Sequence, residues 1–340
     1  MTARDRQQTH ETQAPRRARR REQRIRAARE RRAALSPAVP APGHLRVATW
    51  NLNSLRPRLD AVGRFLERTA PDVVCLQETK TARLSDAAVA TFERHGYAVA
   101  HAGGGAYNGV AVAARHPLSD VRASGQLGDE HLDREPRLVS GLVTLDAPGA
   151  PHVPFAAGTP AAAPAPVRVA SVYVPHGRAV DHWHYEYKVG FLEALAEQVR
   201  RWREDDARRG AHLVVAGDVN VAATDSDVFH PDAYAGSVYV APRVRQALAR
   251  VLDAGLVDVD VARWGPAARR FTWWPLGPRY DRDLGMRLDV IAADRALAAR
   301  LATTWIDHRE RSAARPSDHA ALVADFRLGG PEPGAAGIRS

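Results

Sequence analysis

Four short segments constrain this chain most, because each sets an acid, an amide or an imidazole beside an apolar run. They are Trp50-Asn51-Leu52-Asn53, Leu76-Gln77-Glu78-Thr79, Gly217-Asp218-Val219-Asn220 and Pro316-Ser317-Asp318-His319-Ala320. The apolar runs read as strands over Arg46 to Trp50, Val73 to Gln77, Gly109 to Ala113, Val139 to Leu145, Val167 to Val174, Leu213 to Ala216, Leu288 to Ala292 and Ala320 to Phe326. Asn51, Glu78 and Asp218 follow their runs, whereas Asp289 and the Asp318-His319 pair precede or open theirs. If the second set of strands runs antiparallel to the first, all these groups reach one edge. A mixed α/β sandwich with its crevice along that edge follows, since ligands in open α/β sheets gather at strand ends.

Helical periodicity fills the intervals. From about His182 to about Arg208, Trp183, Tyr187, Phe191, Leu195, Val199 and Trp202 recur on one face above a charged one. Helical patterns also fit Pro57 to Arg68 and Pro242 to Ala254, the latter opened by proline and closed near Gly255. With 340 residues, 45% of them apolar, the chain can bury a proper core.

The net charge of +9 divides unevenly: residues 1–43 hold 12 Arg against 4 acids, so they carry +8 and the remainder only +1. Such a charge describes an Arg-rich appendage able to touch phosphates nonspecifically, not a basic folded body. Residues 1–43 read as a disordered extension with a proline linker, 44–328 as one globular domain, 147–166 as an Ala/Pro-rich insertion loop and 329–340 as a flexible tail. The single Cys75, inside an apolar strand, excludes an intrachain disulfide and fits a reducing compartment. No stretch approaches the roughly 18 apolar residues of a membrane span, and the leader lacks the apolar run of a secretion signal. A cytoplasmic protein is expected; Glu11, Glu22 and Glu30 weigh against an organellar transit peptide.

Singly, each polar residue has an ordinary explanation. Glu78 fits a paired structural carboxylate or a hard oxygen ligand for magnesium or manganese. Asp218 and Asn220 fit an Asx-type turn, or two groups projecting to one side of an extended segment into one site. Ser317, Asp318 and His319 are consecutive, so they cannot form a nucleophilic triad on an extended backbone. His319 needs a distant carboxylate to orient it, for which Asp289 is the candidate. Tyr173 is a core tyrosine or a hydroxyl donor to phosphate. Lys80, one of two lysines among 48 basic residues, fits a solvated surface side chain, or a role arginine cannot fill. Taken together, these groups suit a metal-assisted attack of water on a phosphodiester, which needs a cation, a base and donors for the phosphoryl oxygens.

From Leu45 to about Leu328, the ordered series Trp-Asn-Leu-Asn, Leu-Gln-Glu-Thr-Lys, Tyr-Val-Pro, Gly-Asp-Val-Asn, Phe-Thr-Trp-Trp, Gly-Met-Arg-Leu-Asp and Pro-Ser-Asp-His resembles the exonuclease III family of abasic-site endonucleases, within the endonuclease/exonuclease/phosphatase superfamily. The resemblance implies a four-layered α/β sandwich, two packed mixed β-sheets flanked by helices. It implies a monomer that hydrolyses double-stranded DNA on the 5′ side of abasic sites with Mg2+ (or Mn2+), and that removes nucleotides and phosphates from damaged 3′ ends. On it, Glu78 holds the metal with Asn51, Asn53 and Asp318, while Asp218, with Asn220 beside it, handles the attacking water and shares the metal. His319, oriented by Asp289, and Tyr173 stabilise the phosphate and leaving group. Trp273, Met286 and Leu288 line the pocket for a flipped-out abasic sugar. The chain departs from the family at His176, where Asn or Gln is usual, and at Ala223, where Pro is frequent. Two other readings remain: a superfamily phosphodiesterase or phosphatase acting on RNA, phospholipid or inositol phosphate, and a noncatalytic DNA-binding module.

Overall fold

The computed structural model describes residues 23, 25, 43–145 and 164–328. Apart from residues 23, 25 and 43, the expected leading extension falls outside these residues, as do the trailing tail and the expected insertion up to residue 163. Twelve strands follow in chain order: β1 (His44–Asn51), β2 (Val73–Gln77), β3 (Ala98–Ala102), β4 (Val110–Ala114), β5 (Leu118–Ala123), β6 (Leu138–Val143), β7 (Val167–Tyr173), β8 (His212–Asp218), β9 (Leu256–Asp258), β10 (Asp289–Asp294), β11 (Leu301–Asp307) and β12 (Ala321–Arg327). They form two six-stranded sheets, ordered β11-β12-β1-β2-β4-β3 and β5-β6-β7-β8-β10-β9. Each sheet has one parallel pair at its centre, β1 with β2 and β7 with β8; the other pairs are antiparallel.

The sheets stack with β1 against β8 and β2 against β7, so the two parallel pairs face one another. Side-chain alternation decides what lies between them. Leu45 and Val47 of β1, Val73 and Cys75 of β2, Val169 of β7 and Val214 and Ala216 of β8 share one interior cluster. Continuing each series by two brings the inward positions to Thr49 and Asn51, Gln77, Ser171 and Tyr173, and Asp218. The interior is therefore apolar along most of its length and polar at one end. Gln77 donates to Ser171 Oγ at 3.0 Å across the sheets, and Thr49 donates to Gln77 at 3.2 Å. Because β10 and β12 run antiparallel to β8 and β1, their first residues come to this same end.

Helices cover the outer faces. Leu59–Thr69 and Asp86–Arg94 bury Val62, Phe65, Leu66 and Phe92 against Ala48, Trp50, Val74 and Leu76, the outward residues of β1 and β2. Trp183–Arg208 and Pro242–Asp253 lie on the other sheet, where Phe191, Leu195 and Val199 meet Val172 and Val215. Each such side chain, fully buried, contributes about 1.5–3 kcal/mol. His182 caps the long helix by accepting from the His184 amide at 3.0 Å, and the His184 ring accepts from Gly177 N at 3.1 Å. Close sheet geometry at the polar end depends on Gly217: a Cβ there would stand 1.9 Å from the Val172 carbonyl oxygen. Only glycine permits the β7–β8 register that sets Tyr173 opposite Asp218.

Candidate active site

Left-handed backbone follows the central strands wherever a functional side chain must turn into the crevice. Asn53, Glu78, Lys80 and Asn220 have φ of 46°, 51°, 50° and 50°. Non-glycine residues seldom adopt this region, and such conformations gather where surrounding contacts impose them for function. Backbone bonds impose them here: Ser54 N donates to Glu78 O, Leu55 N to Thr79 O and Lys80 N to Asn108 O.

The two sheets meet chemically at Asn51. Its amide nitrogen donates to Glu78 Oε1 at 2.9 Å and to Asp218 Oδ2 at 2.8 Å, tying an acid of one sheet to an acid of the other. Tyr173 donates its hydroxyl to the same Glu78 oxygen at 2.9 Å. Asn53 donates to Asp318 Oδ1 at 3.0 Å, and the Trp273 indole donates to Asp318 Oδ2 at 2.9 Å. His319 Nδ1 lies 2.8 Å from Asp289 Oδ2, and its Nε2 lies 3.7 Å from Asp218 Oδ2. Asn220 folds back on Asp218, its backbone amide donating to Oδ1 at 2.9 Å while its side chain donates to Val174 O at 2.9 Å. Ser317 is structural: its hydroxyl donates to Asn51 O at 2.7 Å and accepts from His319 N.

Several members of the site were hidden in the sequence. Lys80 is not a solvated surface lysine; its ammonium bridges Glu78 Oε2 at 2.8 Å and Asn53 Oδ1 at 2.7 Å. Its rarity among basic residues and its place in the Leu-Gln-Glu-Thr-Lys run were its sequence signals. Arg58 donates to Asn53 O and Pro316 O, pinning the loops after β1 and before β12. Arg287, in the Gly-Met-Arg-Leu-Asp run, is a buried clamp on Asp227 and Asp258 at 2.6 Å each, which fixes the entry to β10.

Electrostatics separates the acids. Burial would raise Glu78, but hydrogen bonds from Lys80 and Asn51 and the Lys80 charge hold it below the usual carboxylate range. Burial also opposes ionisation of Asp318, yet the His319 charge and the Trp273 hydrogen bond leave it low. Asp218 differs: burial, reinforced by Asp289 and Glu78, outweighs the His319 charge and pushes it up to about 7. For His319, burial opposes the charge, but Asp289 and then Asp218 overcome it and raise the imidazole to about 10. The arrangement thus pairs an acid poised near neutrality with an imidazole kept protonated, the combination a base and an electrophile need.

Trp273, Met286 and Leu288 do come together, as a closed cluster. Met286 is 0% and Leu288 1% exposed, packed with Ala222 and Val228 under Tyr234, Tyr239, Val240 and Trp273. The Tyr239 ring stands 6.3 Å from Trp273, inclined by 30°, and its hydroxyl meets His176 Nε2 at 2.7 Å. His176 Nδ1 accepts from Arg178 N, so Nε2 of the neutral ring carries the proton and donates to Tyr239.

No three His, Cys, Asp or Glu side chains converge on one point among the described residues. The set Glu78, Asp318, Asp218, Asn51 and Asn53 nevertheless offers hard carboxylate and amide oxygens with no sulfur ligand, and Lys80 already places a cation on Glu78. That chemistry fits magnesium, which keeps several waters and takes one or two carboxylates instead of a full protein cage. No helix among the described residues is long and apolar enough to cross a membrane.

A double sandwich whose polar end gathers carboxylates, amides and a carboxylate-held imidazole has the layout of a phosphoester hydrolase. Residues 48–319 match the Endonuclease/Exonuclease/phosphatase family, and the chain belongs to it. It is similar to exodeoxyribonuclease III of Haemophilus influenzae, 25% identical over 83% of this chain and all of that one. Among solved structures it resembles an AP endonuclease from Archaeoglobus fulgidus, 32% identical with a TM-score of 0.70 over 83% of this chain and 99% of that one. A Neisseria 3′ phosphatase, NExo, bound to a product DNA hairpin, is 30% identical with a TM-score of 0.70 over the same shares.

Proposed function

We propose that this protein is a DNA-repair phosphodiesterase, dependent on magnesium, that cuts the backbone 5′ of abasic sites and clears nucleotides and phosphates from 3′ ends. The observation that carries the proposal is the Asn51 amide, which holds Glu78 and Asp218 within one hydrogen-bonded group across the sheet interface. Glu78, Asp318, Asn51 and Asn53 would hold the metal, with Asp218 and Asn220 alongside; when bound, it supplies positive charge against the phosphoryl oxygens. Asp218, poised near neutrality, takes a proton from the water that attacks phosphorus. His319, kept cationic by Asp289, donates to the phosphoryl oxygen on which charge accumulates. Tyr173 helps orient the phosphate from the Glu78 side. The O3′–P bond breaks and the departing O3′ takes a proton from solvent, leaving a 3′-hydroxyl and a 5′-phosphate, while the proton taken by Asp218 is released to solvent.

The similarity to named repair enzymes supports DNA as the substrate. One observation favours a second emphasis: Tyr239 packs against the Met286–Leu288 cluster with its ring 6.3 Å from Trp273, beside where a flipped-out sugar would enter, which weights the activity toward 3′ ends over internal abasic sites. Purified protein is given three duplexes, one with an internal abasic analogue, one with a nick bearing a 3′-phosphate and one blunt, each with magnesium and then with EDTA. Metal-dependent cleavage of at least one is the expected result. Intact DNA in every arm rejects the proposal.

A further inference from the structure

Lys188, the second of the two lysines, sits on the long helix at 0% exposure. An isolated ammonium in such a place is costly unless every N–H finds an acceptor. Here each does: Nζ donates to Asn220 O at 2.6 Å, Val238 O at 2.8 Å and His176 O at 3.2 Å. The three carbonyls belong to three separate loops, after β8, before the Pro242 helix and after β7. One of these loops is strained at the contact, with Asn220 at φ 50°, and the His176 carbonyl precedes a left-handed turn at Gly177, φ 96°. Packing is close as well, since a Cβ on Gly177 would stand 3.1 Å from Lys188 Cδ. The ammonium also lies 5.6 Å from the centre of the Tyr239 ring. Three acceptors disposed around one point suit a compact ammonium; the flat fork of an arginine spreads its donors too widely.

We propose that Lys188 is a positioning residue for the reaction: by tying these loops together it fixes the Asn220 backbone that holds Asp218, and the Tyr239–His176 wall of the groove. The chain of contacts is continuous, from Lys188 to Asn220 O, and from Asn220 N to Asp218 Oδ1 at 2.9 Å. Lys188 itself touches neither substrate nor reacting atoms. The inference rests on the function proposed above for its kinetic arm alone.

The test uses full-length Lys188→Met and Lys188→Arg, read by steady-state kinetics on the preferred duplex and by amide hydrogen exchange. In the folded variants kcat is expected to drop roughly 50-fold for Met, and about tenfold for Arg, with KM for DNA held within about threefold, because orientation and not affinity is lost. Exchange should rise in the segments around 174–177, 218–222 and 236–240 and stay unchanged in β2, β4 and β12. Wild-type kcat with unchanged exchange in either folded variant overturns the proposal. Should Lys188→Met fail to fold, Lys188→Arg, which keeps a basic side chain, decides alone. If the wild-type protein shows no DNA hydrolysis, the proposed function falls, and the exchange arm still decides whether Lys188 couples the three loops.

Discussion

His319 and Asp289, 30 residues apart in the chain, meet through a 2.8 Å contact between Nδ1 and Oδ2 inside the polar end of the sandwich. Asp289 in turn sits opposite Asp218 in the β8–β10 pairing, so one strand register sets the two acids side by side where the His319 imidazole, from the other sheet, reaches both. His319→Ala is expected to cut kcat by about 10²- to 10⁴-fold with little change in KM, since it removes a donor used mainly in the transition state. Steady-state kinetics on the preferred duplex checks this.

The raised imidazole gives a signed pH prediction. His319 is pushed up to about 10 from an ordinary 6.5, so its contribution to stability is full below about 6.5 and is lost as pH rises through about 10. Asp289→Asn removes the first of the charges that support the imidazolium, and should move the alkaline limb of the rate profile at least about one pH unit lower. A limb that stays in place would remove Asp289 from its orienting role.

Asp218 carries the opposite lesson, that a buried charge can cost stability. Its carboxyl is raised from 3.8 to about 7, so the folded state prefers it protonated, and the wild type loses stability as pH climbs from about 4 to about 7. Asp218→Asn, neutral throughout, should match the wild type near pH 4 in EDTA and melt roughly 3–8 °C higher above pH 7. Thermal melts across that range, with equal Tm at pH 8 as the contrary result, test it.

Metal binding can be read without catalysis. Magnesium at millimolar concentration should raise the Tm of the wild type at pH 8 by a few degrees, because a ligand that binds only the folded state stabilises it by mass action. Glu78→Gln should abolish most of that rise. An equal rise in the variant places the cation elsewhere.

Tyr239 bears on substrate choice. Replacing it by glycine removes the ring that packs against the Met286–Leu288 cluster beside Trp273 and leaves His176 without its hydroxyl partner. The ratio of internal abasic incision to 3′-phosphate removal is expected to rise about tenfold or more, a difference of roughly 1.4 kcal/mol between the two transition states. A ratio unchanged from the wild type would show that the ring does not guard a sugar site.

Much of the architecture is legible in the chain because central strands advertise themselves. All eight strand runs read from the sequence are present with ends shifted by a few residues, and Val73–Gln77 falls where expected. The strands that escaped notice are β3, β5, β9 and β11, the outermost members of the two sheets. Edge strands bury less and carry polar side chains, as in Leu118–Ala123 with its exposed Asp120-neighbouring residues Val121 and Arg122, so no apolar run marks them. The gathering of Asn51, Glu78, Asp218, Asp289, Asp318 and His319 at one end was readable because strand parity and direction fix it. Lys80, Lys188 and Tyr239 were not, since what places them is loop geometry: left-handed turns after strands, and backbone carbonyls converging on a buried ammonium. The closure of the Met286–Leu288 cluster under Tyr239 likewise depends on a long-range contact that no local pattern encodes.

The central claim is that Asp218, joined to Glu78 through Asn51, drives water onto a DNA phosphodiester. Single-turnover cleavage of the preferred duplex, with saturating enzyme and magnesium at pH 8, compares wild type with Asp218→Asn most directly. A loss of about 10³-fold or more in the cleavage rate, with DNA affinity retained, is the expected outcome. Equal rates for the two proteins would contradict it.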